Sequence, residues 1–193
     1  ILEYRGIPIE KLAEHSNFEE TSWLLLTGRM PNDAQLRGFR SHLGQHRALP
    51  DKLVAMIDAM PGKAHPMDVL QASMAALGTF DKPVDFRDPE QVDEACVRIL
   101  GATPILVATF ERLRSGKNLV PPDPELDTAA NFLYMLTGQR PDDLAARIFD
   151  VALILHADHT MNASTFAARV VASTEAGPYT VCSSALGALR GPL

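Results

Sequence analysis

His156 and His159 stand three residues apart at the end of an apolar run, bracket Asp158, and are followed by Asn162. At that spacing both rings can project from one helical face. Three kinds of chemistry suit such a pair. A metal site would take the two imidazoles and a carboxylate, but no clear third ligand is in view. A helix cap would use protonated histidine to satisfy the last carbonyls of the apolar helix. Recognition of an anion or a carbonyl would add the Asn162 amide and the backbone N–H groups that open the next helix. Spacing alone leaves the cap as the simplest of the three. The chain carries no GxGxxG, P-loop, HExxH or GxSxG pattern, so the usual nucleotide, zinc protease and hydrolase signals are missing.

These residues must be positioned by helices. Residues 142–157 read as the longest convincing one, with Leu144, Ile148, Val151, Ala152 and Leu155 on its apolar side. Helices over 163–173 and 178–189 follow. Upstream, Ser16 with Glu19 forms a possible capping box, and Gly28 supplies a left-handed exit. Asn32 can cap a helix carrying Leu36, Phe39 and Leu43, and Pro50–Asp51 opens another. The run 66–77 predicts a further helix. Asp88–Pro89 starts a helix to Leu100, and Thr103–Pro104 restarts the chain into a second that Gly116 ends. The stretch 117–126, with Pro121, Pro122 and Pro124, is a connection; Asp127 then caps another helix. LTGRMPND at Leu26 resembles LTGQRPDD at Leu136, which predicts one helix–turn–helix corner used twice. Strand signals are weak beyond the first four residues. The fold class is all-α.

The bulk properties narrow the partners. With 193 residues, 46% of them hydrophobic, the chain can bury a substantial core without metal or disulfide staples, and one domain is expected rather than two. The formal charge of −6 repels a phosphate backbone, so nucleic acid is a poor partner. The longest apolar stretch, Val151 to Leu155, is too short to span a bilayer, and no leader pattern is seen; a cytoplasmic setting is expected. Cys96 and Cys182 match no metal spacing and read as small buried hydrophobes in a reducing compartment. The chain starts without Met and stops at Arg190-Gly191-Pro192-Leu193, so both ends read as breaks in a longer polypeptide.

LHADHTMNASTFAARVVAST at Leu155 and ALGALRGPL at Ala185 closely resemble the large domain of the citrate synthase family. EYRGIPIEKLAEHSNFEETSWLLLTGRMP at Glu3, HPMDVLQASMAALG at His65 and NFLYMLTGQRP at Asn131 resemble it too, in order along essentially the whole chain. The resemblance implies a multihelical large domain, here partial over 1–193, with the small mobile domain outside the chain. It implies a homodimer that condenses acetyl-CoA with oxaloacetate, or propionyl-CoA in the methylcitrate branch. No metal or prosthetic group is implied. His159 matches an oxaloacetate-binding histidine, and His156 and Asn162 match supporting residues of that pocket. The family commonly has Glu where Thr160 stands, which alters local hydrogen bonding and leaves the binding imidazole in place. The family also continues GPL with a histidine that stabilises the acyl-CoA enol, one residue beyond Leu193. The later histidine, the aspartate base and the carboxylate-binding arginines are expected downstream, so no catalytic residue is assigned within the chain, which is expected to be inactive alone. A noncatalytic helical scaffold or partner subunit of the same fold is the alternative from a different class.

Overall fold

The computed structural model describes residues 2–191, and these form an all-α fold. In chain order its elements are β1 (Glu3–Tyr4), β2 (Ile7–Pro8), α1 (Ile9–His15), α2 (Phe18–Thr27), α3 (Asp33–Gln45), α4 (Asp51–Asp58), α5 (Pro66–Leu77), α6 (Pro89–Arg114), α7 (Thr128–Thr137), α8 (Asp143–His156), α9 (Ala163–Ala172) and α10 (Pro178–Ala188). They fall into two compact units. One comprises the residues up to Gln45 with Val120–His159, the other His46–Leu119 with the residues from Thr160 onward.

The first unit begins with a hairpin in which Glu3 pairs with Pro8 and Tyr4 with Ile7, antiparallel. Arg5 (φ 51°) and Gly6 (φ 82°) make its turn; two successive left-handed residues match the right-handed twist of a two-residue hairpin. Tyr4, Ile9, Leu12, Leu24 and Ile154 form the core of this unit. Each large side chain so buried contributes about 2 kcal/mol. The repeated corner is real. Gly28 (φ 83°) ends α2 and Gly138 (φ 86°) ends α7. Thr27 and Thr137 donate their hydroxyls to the carbonyls four residues back, Trp23 and Leu133, and Asn32 and Asp142 cap the helices that follow. Left-handed glycine avoids the Cβ clash that would strain either corner.

Two local expectations shift. The capping box of α2 is formed by Asn17 and Glu20, not Ser16 and Glu19: Asn17 Oδ1 accepts from the Glu20 N–H at 2.9 Å, and Glu20 Oε2 accepts from the Asn17 N–H at 3.1 Å. Glu19 is instead buried and accepts the Thr128 N–H that opens α7, at 2.7 Å. The apolar side of α8 is also misplaced by periodicity. Leu144 and Ile148 are 69% and 62% exposed, while Asp150 and Ile154 face inward. Charges at neighbouring helix ends account for the rotation. Arg147 donates to the carbonyls of Ala13 and Ser16 beyond the middle of α1, and Asp150 accepts from both Arg147 and the Phe18 N–H at the start of α2. A cation at a helix C-terminus and an anion at an N-terminus both oppose the helix dipole.

In the second unit Leu53, Ile57, Val69, Met74, Leu77, Ala102, Leu106 and Phe110 form the core, with Tyr179 of α10. The two helices expected on either side of residues 101–102 are one 26-residue helix, α6, with Pro104 inside it. Proline removes one helical hydrogen bond there. Ala102, Ile105 and Leu106 are almost fully buried on either side of it, and packing of that stretch outweighs the local break. The Thr103 hydroxyl donates to the Ile99 carbonyl at 2.6 Å. α10 lies close against what precedes it: a Cβ on Gly78 would come 2.7 Å from the Tyr179 Cβ. Cys96 and Cys182 are half-buried rather than enclosed. Among the described residues no helix is long and apolar enough to cross a membrane.

Candidate functional site

α8 delivers the histidine pair. Asp142 caps its start by accepting the Ala145 N–H at 2.7 Å, and the buried Asp150 and Ile154 fix its rotation. The helix ends at His156, with Ala157 as its C-cap. His159 therefore lies outside the helix, in the segment that leaves it, and the expectation of two rings on one helical face is corrected. The reason lies in the cap: the Ala157 N–H turns back to the Ile154 carbonyl at 3.2 Å and the chain leaves helical register. Both histidines are exposed. The His156 Nδ1 donates to the Ala152 carbonyl at 2.7 Å, one turn back, which fixes that ring and leaves Nε2 as its free edge. The contact is to a carbonyl inside the helix, not to one of the last four carbonyls that a cap would satisfy.

The segment that carries His159 is held from below by Tyr4. This side chain is 1% exposed, and its hydroxyl lies 3.0 Å from the carbonyls of Ile154 and Asp158 and accepts the Asp158 N–H at 3.2 Å. Nothing in the spacing of the histidines pointed to Tyr4, 150 residues away from Ile154.

In the second unit Asn162 is the N-cap of α9. Its side chain accepts the Thr165 N–H at 2.8 Å, and its own N–H donates to the Thr160 carbonyl at 3.0 Å. The same carbonyl accepts the Thr165 hydroxyl at 3.2 Å. Thr160 holds φ at 58°, a left-handed conformation that a β-branched residue adopts at a cost of about 1–3 kcal/mol. The Asn162 carbonyl oxygen is thus occupied by the backbone, and its NH₂ group is the part left for a ligand.

A cavity of about 620 Å³ also opens in the second unit, lined among others by His46, Asp81, Glu94, Arg98 and Tyr179. Arg98 bridges Asp81 at 3.3 Å and donates to the carbonyls of His46 and Ala48. The Tyr179 hydroxyl donates to the same Asp81 oxygen, and burial followed by that contact pushes its pKa well above the usual phenol range. Asp81 thus pairs with the Arg98 charge and accepts the Tyr179 hydroxyl, contacts that tie α6 and α10 to the segment after α5. Sequence reading singled out none of these residues, since a paired Arg and Asp 17 positions apart carry no spacing signal.

Comparison with known proteins bears on the chemistry. The family model described as "Citrate synthase, C-terminal domain" matches residues 1–193. A citrate synthase from Synechocystis sp. is 49% identical over 193 residues, which is 100% of this chain and 49% of that protein. The 2-methylcitrate synthase 1 of Corynebacterium glutamicum is 39% identical over 197 residues, 100% of this chain and 52% of its own. The crystal structure of citrate synthase from Pyrobaculum aerophilum superposes with a TM-score of 0.93 at 39% identity, covering 98% of this chain and 49% of that one. The chain spans about half the length of these relatives. Agreement along the full length, in sequence and in helix arrangement alike, means that the chain belongs to the citrate synthase family.

Proposed function

We propose that the full protein is a citrate synthase-type acyltransferase. It would join the methyl carbon of acetyl-CoA to the keto carbon of oxaloacetate, then hydrolyse the thioester with water to give citrate and free CoA. Within 1–193 the His159 imidazole is the group assigned to oxaloacetate, with His156 and Asn162 shaping its surroundings. The observation that carries this reading is the exposed His156–His159 segment at the end of α8, set in a chain that is 49% identical throughout to a protein named citrate synthase. An exposed imidazole can donate a charge-assisted hydrogen bond to a dicarboxylate.

The reaction also demands a base for the thioester methyl group and a neutral donor for the developing enol oxygen. No residue of 1–193 is assigned either task. The 193-residue segment by itself is accordingly expected to show no synthase turnover. A homodimer is part of the proposal, supported by the exposed Leu144 and Ile148 on α8.

A second reading, 2-methylcitrate synthase with propionyl-CoA as donor, is favoured by the 39% identity to a protein of that name. Release of CoA thiol by the full protein tests both. Oxaloacetate-dependent release that is faster with acetyl-CoA supports the first reading, and release faster with propionyl-CoA supports the second. No oxaloacetate-dependent release with either donor would overturn both and leave a noncatalytic member of the family.

A further inference from the structure

We infer that Tyr4 is a positioning residue for the His159 imidazole, acting through the backbone of Asp158. The inference rests on the reading of His159 as the oxaloacetate-binding group. Three polar backbone atoms converge on one phenolic oxygen: the Ile154 carbonyl at 3.0 Å, the Asp158 carbonyl at 3.0 Å and the Asp158 N–H at 3.2 Å. A phenol has one proton to donate and lone pairs to accept with, so it can take the N–H while sharing its proton between the two carbonyls. The need for it arises from how α8 ends. Ala157 N–H turns back to Ile154, and the helix does not continue through Asp158. Asp158 thus lies past the last helical turn, where backbone groups are satisfied by partners outside the helix. The Tyr4 oxygen accepts the Asp158 N–H there.

The ring is well placed to act as a fixed post. It is 1% exposed and packs in the core formed with Ile9, Leu12, Leu24 and Ile154, whose own exposure is 0%. Its backbone is pinned by pairing with Ile7 across the hairpin. The hydroxyl thus ties a rigid core to the residue immediately before an exposed histidine. His159 has no helix to orient it, so its Cα is placed by the peptide that Tyr4 holds. A ligand group misplaced by a fraction of an ångström loses much of its binding, which makes such a support matter for affinity.

The test uses the full protein with the substitution Tyr4→Phe, which keeps the packed ring and removes only the oxygen. The KM for oxaloacetate is expected to rise about tenfold, as loss of a hydrogen-bonded support allows, while the KM for acetyl-CoA stays within about twofold. His159→Ala is expected to raise the oxaloacetate KM on its own. Added to His159→Ala, Tyr4→Phe is expected to raise it no further than about twofold, because both act on one contact. Thermal melting fixes the assay temperature well below unfolding for every variant. A lower melting temperature for Tyr4→Phe with both KM values unchanged would show a purely structural tyrosine and overturn the inference, as would additive effects in the double variant. An oxaloacetate KM unmoved by His159→Ala is a different failure: it removes the substrate reading of His159, and with it the basis for the tyrosine's role.

Discussion

The two cysteines show how far a residue's surroundings govern its chemistry. Burial, with Cys96 nearby, pushes the Cys182 thiol up to about 11, and burial followed by the charge of Asp93 raises Cys96 as well. The thiolate is the reactive form, and for Cys182 at pH 8 it is about a thousandth of the population. Both thiols are expected to react with an aromatic disulfide reagent at least about tenfold more slowly in the folded protein than in denaturant. Equal rates in the two conditions would mean that the half-buried side chains are open to solvent. His156 is the opposite case: an exposed ring whose Nδ1 is committed to its own helix, so that only one ring edge is available to a ligand.

At the scale of elements, helix ends are matched to charges from other helices. Arg147 on α8 meets carbonyls at the end of α1, Asp150 on α8 takes the first N–H of α2, and Glu19 on α2 takes the first N–H of α7. Burial pushes the Asp150 carboxyl above its ordinary value, and the Glu19 charge adds to the rise; the Phe18 N–H and the Arg147 guanidinium pull the other way. A carboxyl with a raised folded-state pKa favours the fold most while protonated. Its contribution is complete below the unfolded value of 3.8 and is lost as pH rises through the folded value. Asp150→Asn retains an oxygen for the Phe18 N–H and removes the titration. Urea midpoints measured from acid to neutral pH are expected to show the unsubstituted protein losing stability relative to Asp150→Asn as pH climbs past about 4, then levelling off. A relative gain over that interval would mean that the Arg147 pair outweighs burial.

For the whole molecule, the exposed apolar side chains ask for a covering. Leu144 and Ile148 in the first unit, and Phe166 and Val170 in the second, are each more than half exposed. Within each unit, exposed large apolar side chains of this kind are candidates for an association face. The proposed homodimer predicts twice the single-chain mass for the full protein in sedimentation velocity at micromolar concentration. A single-chain mass there would remove the dimer from the proposal.

Where a local rule decides the backbone, the sequence was sufficient. Gly28 and Gly138 fix two identical corners because only glycine enters the left-handed region without strain, and Pro66 with Gly78 brackets α5 as the composition says. The all-α class follows from such signals repeated along the chain, and the citrate synthase resemblance from motifs that occur in order along it. Other features depend on groups distant in sequence. Pro104 lies inside one continuous helix because Ala102, Ile105 and Leu106 around it are packed into the core. Asp150 faces inward, and Leu144 outward, because α8 meets the ends of α1 and α2. Asn17, not Ser16, caps α2, and Glu19 bonds the start of α7, 109 residues away. His159, Asn162 and His156 could be picked out by type and spacing, yet the end of α8 at His156 and the buried Tyr4 hydroxyl that holds the next segment show only in the folded chain. Periodicity reports which residues share a face; only tertiary structure supplies the partners that satisfy a buried charge or a backbone N–H beyond a helix end, and for α8 those partners chose the buried face.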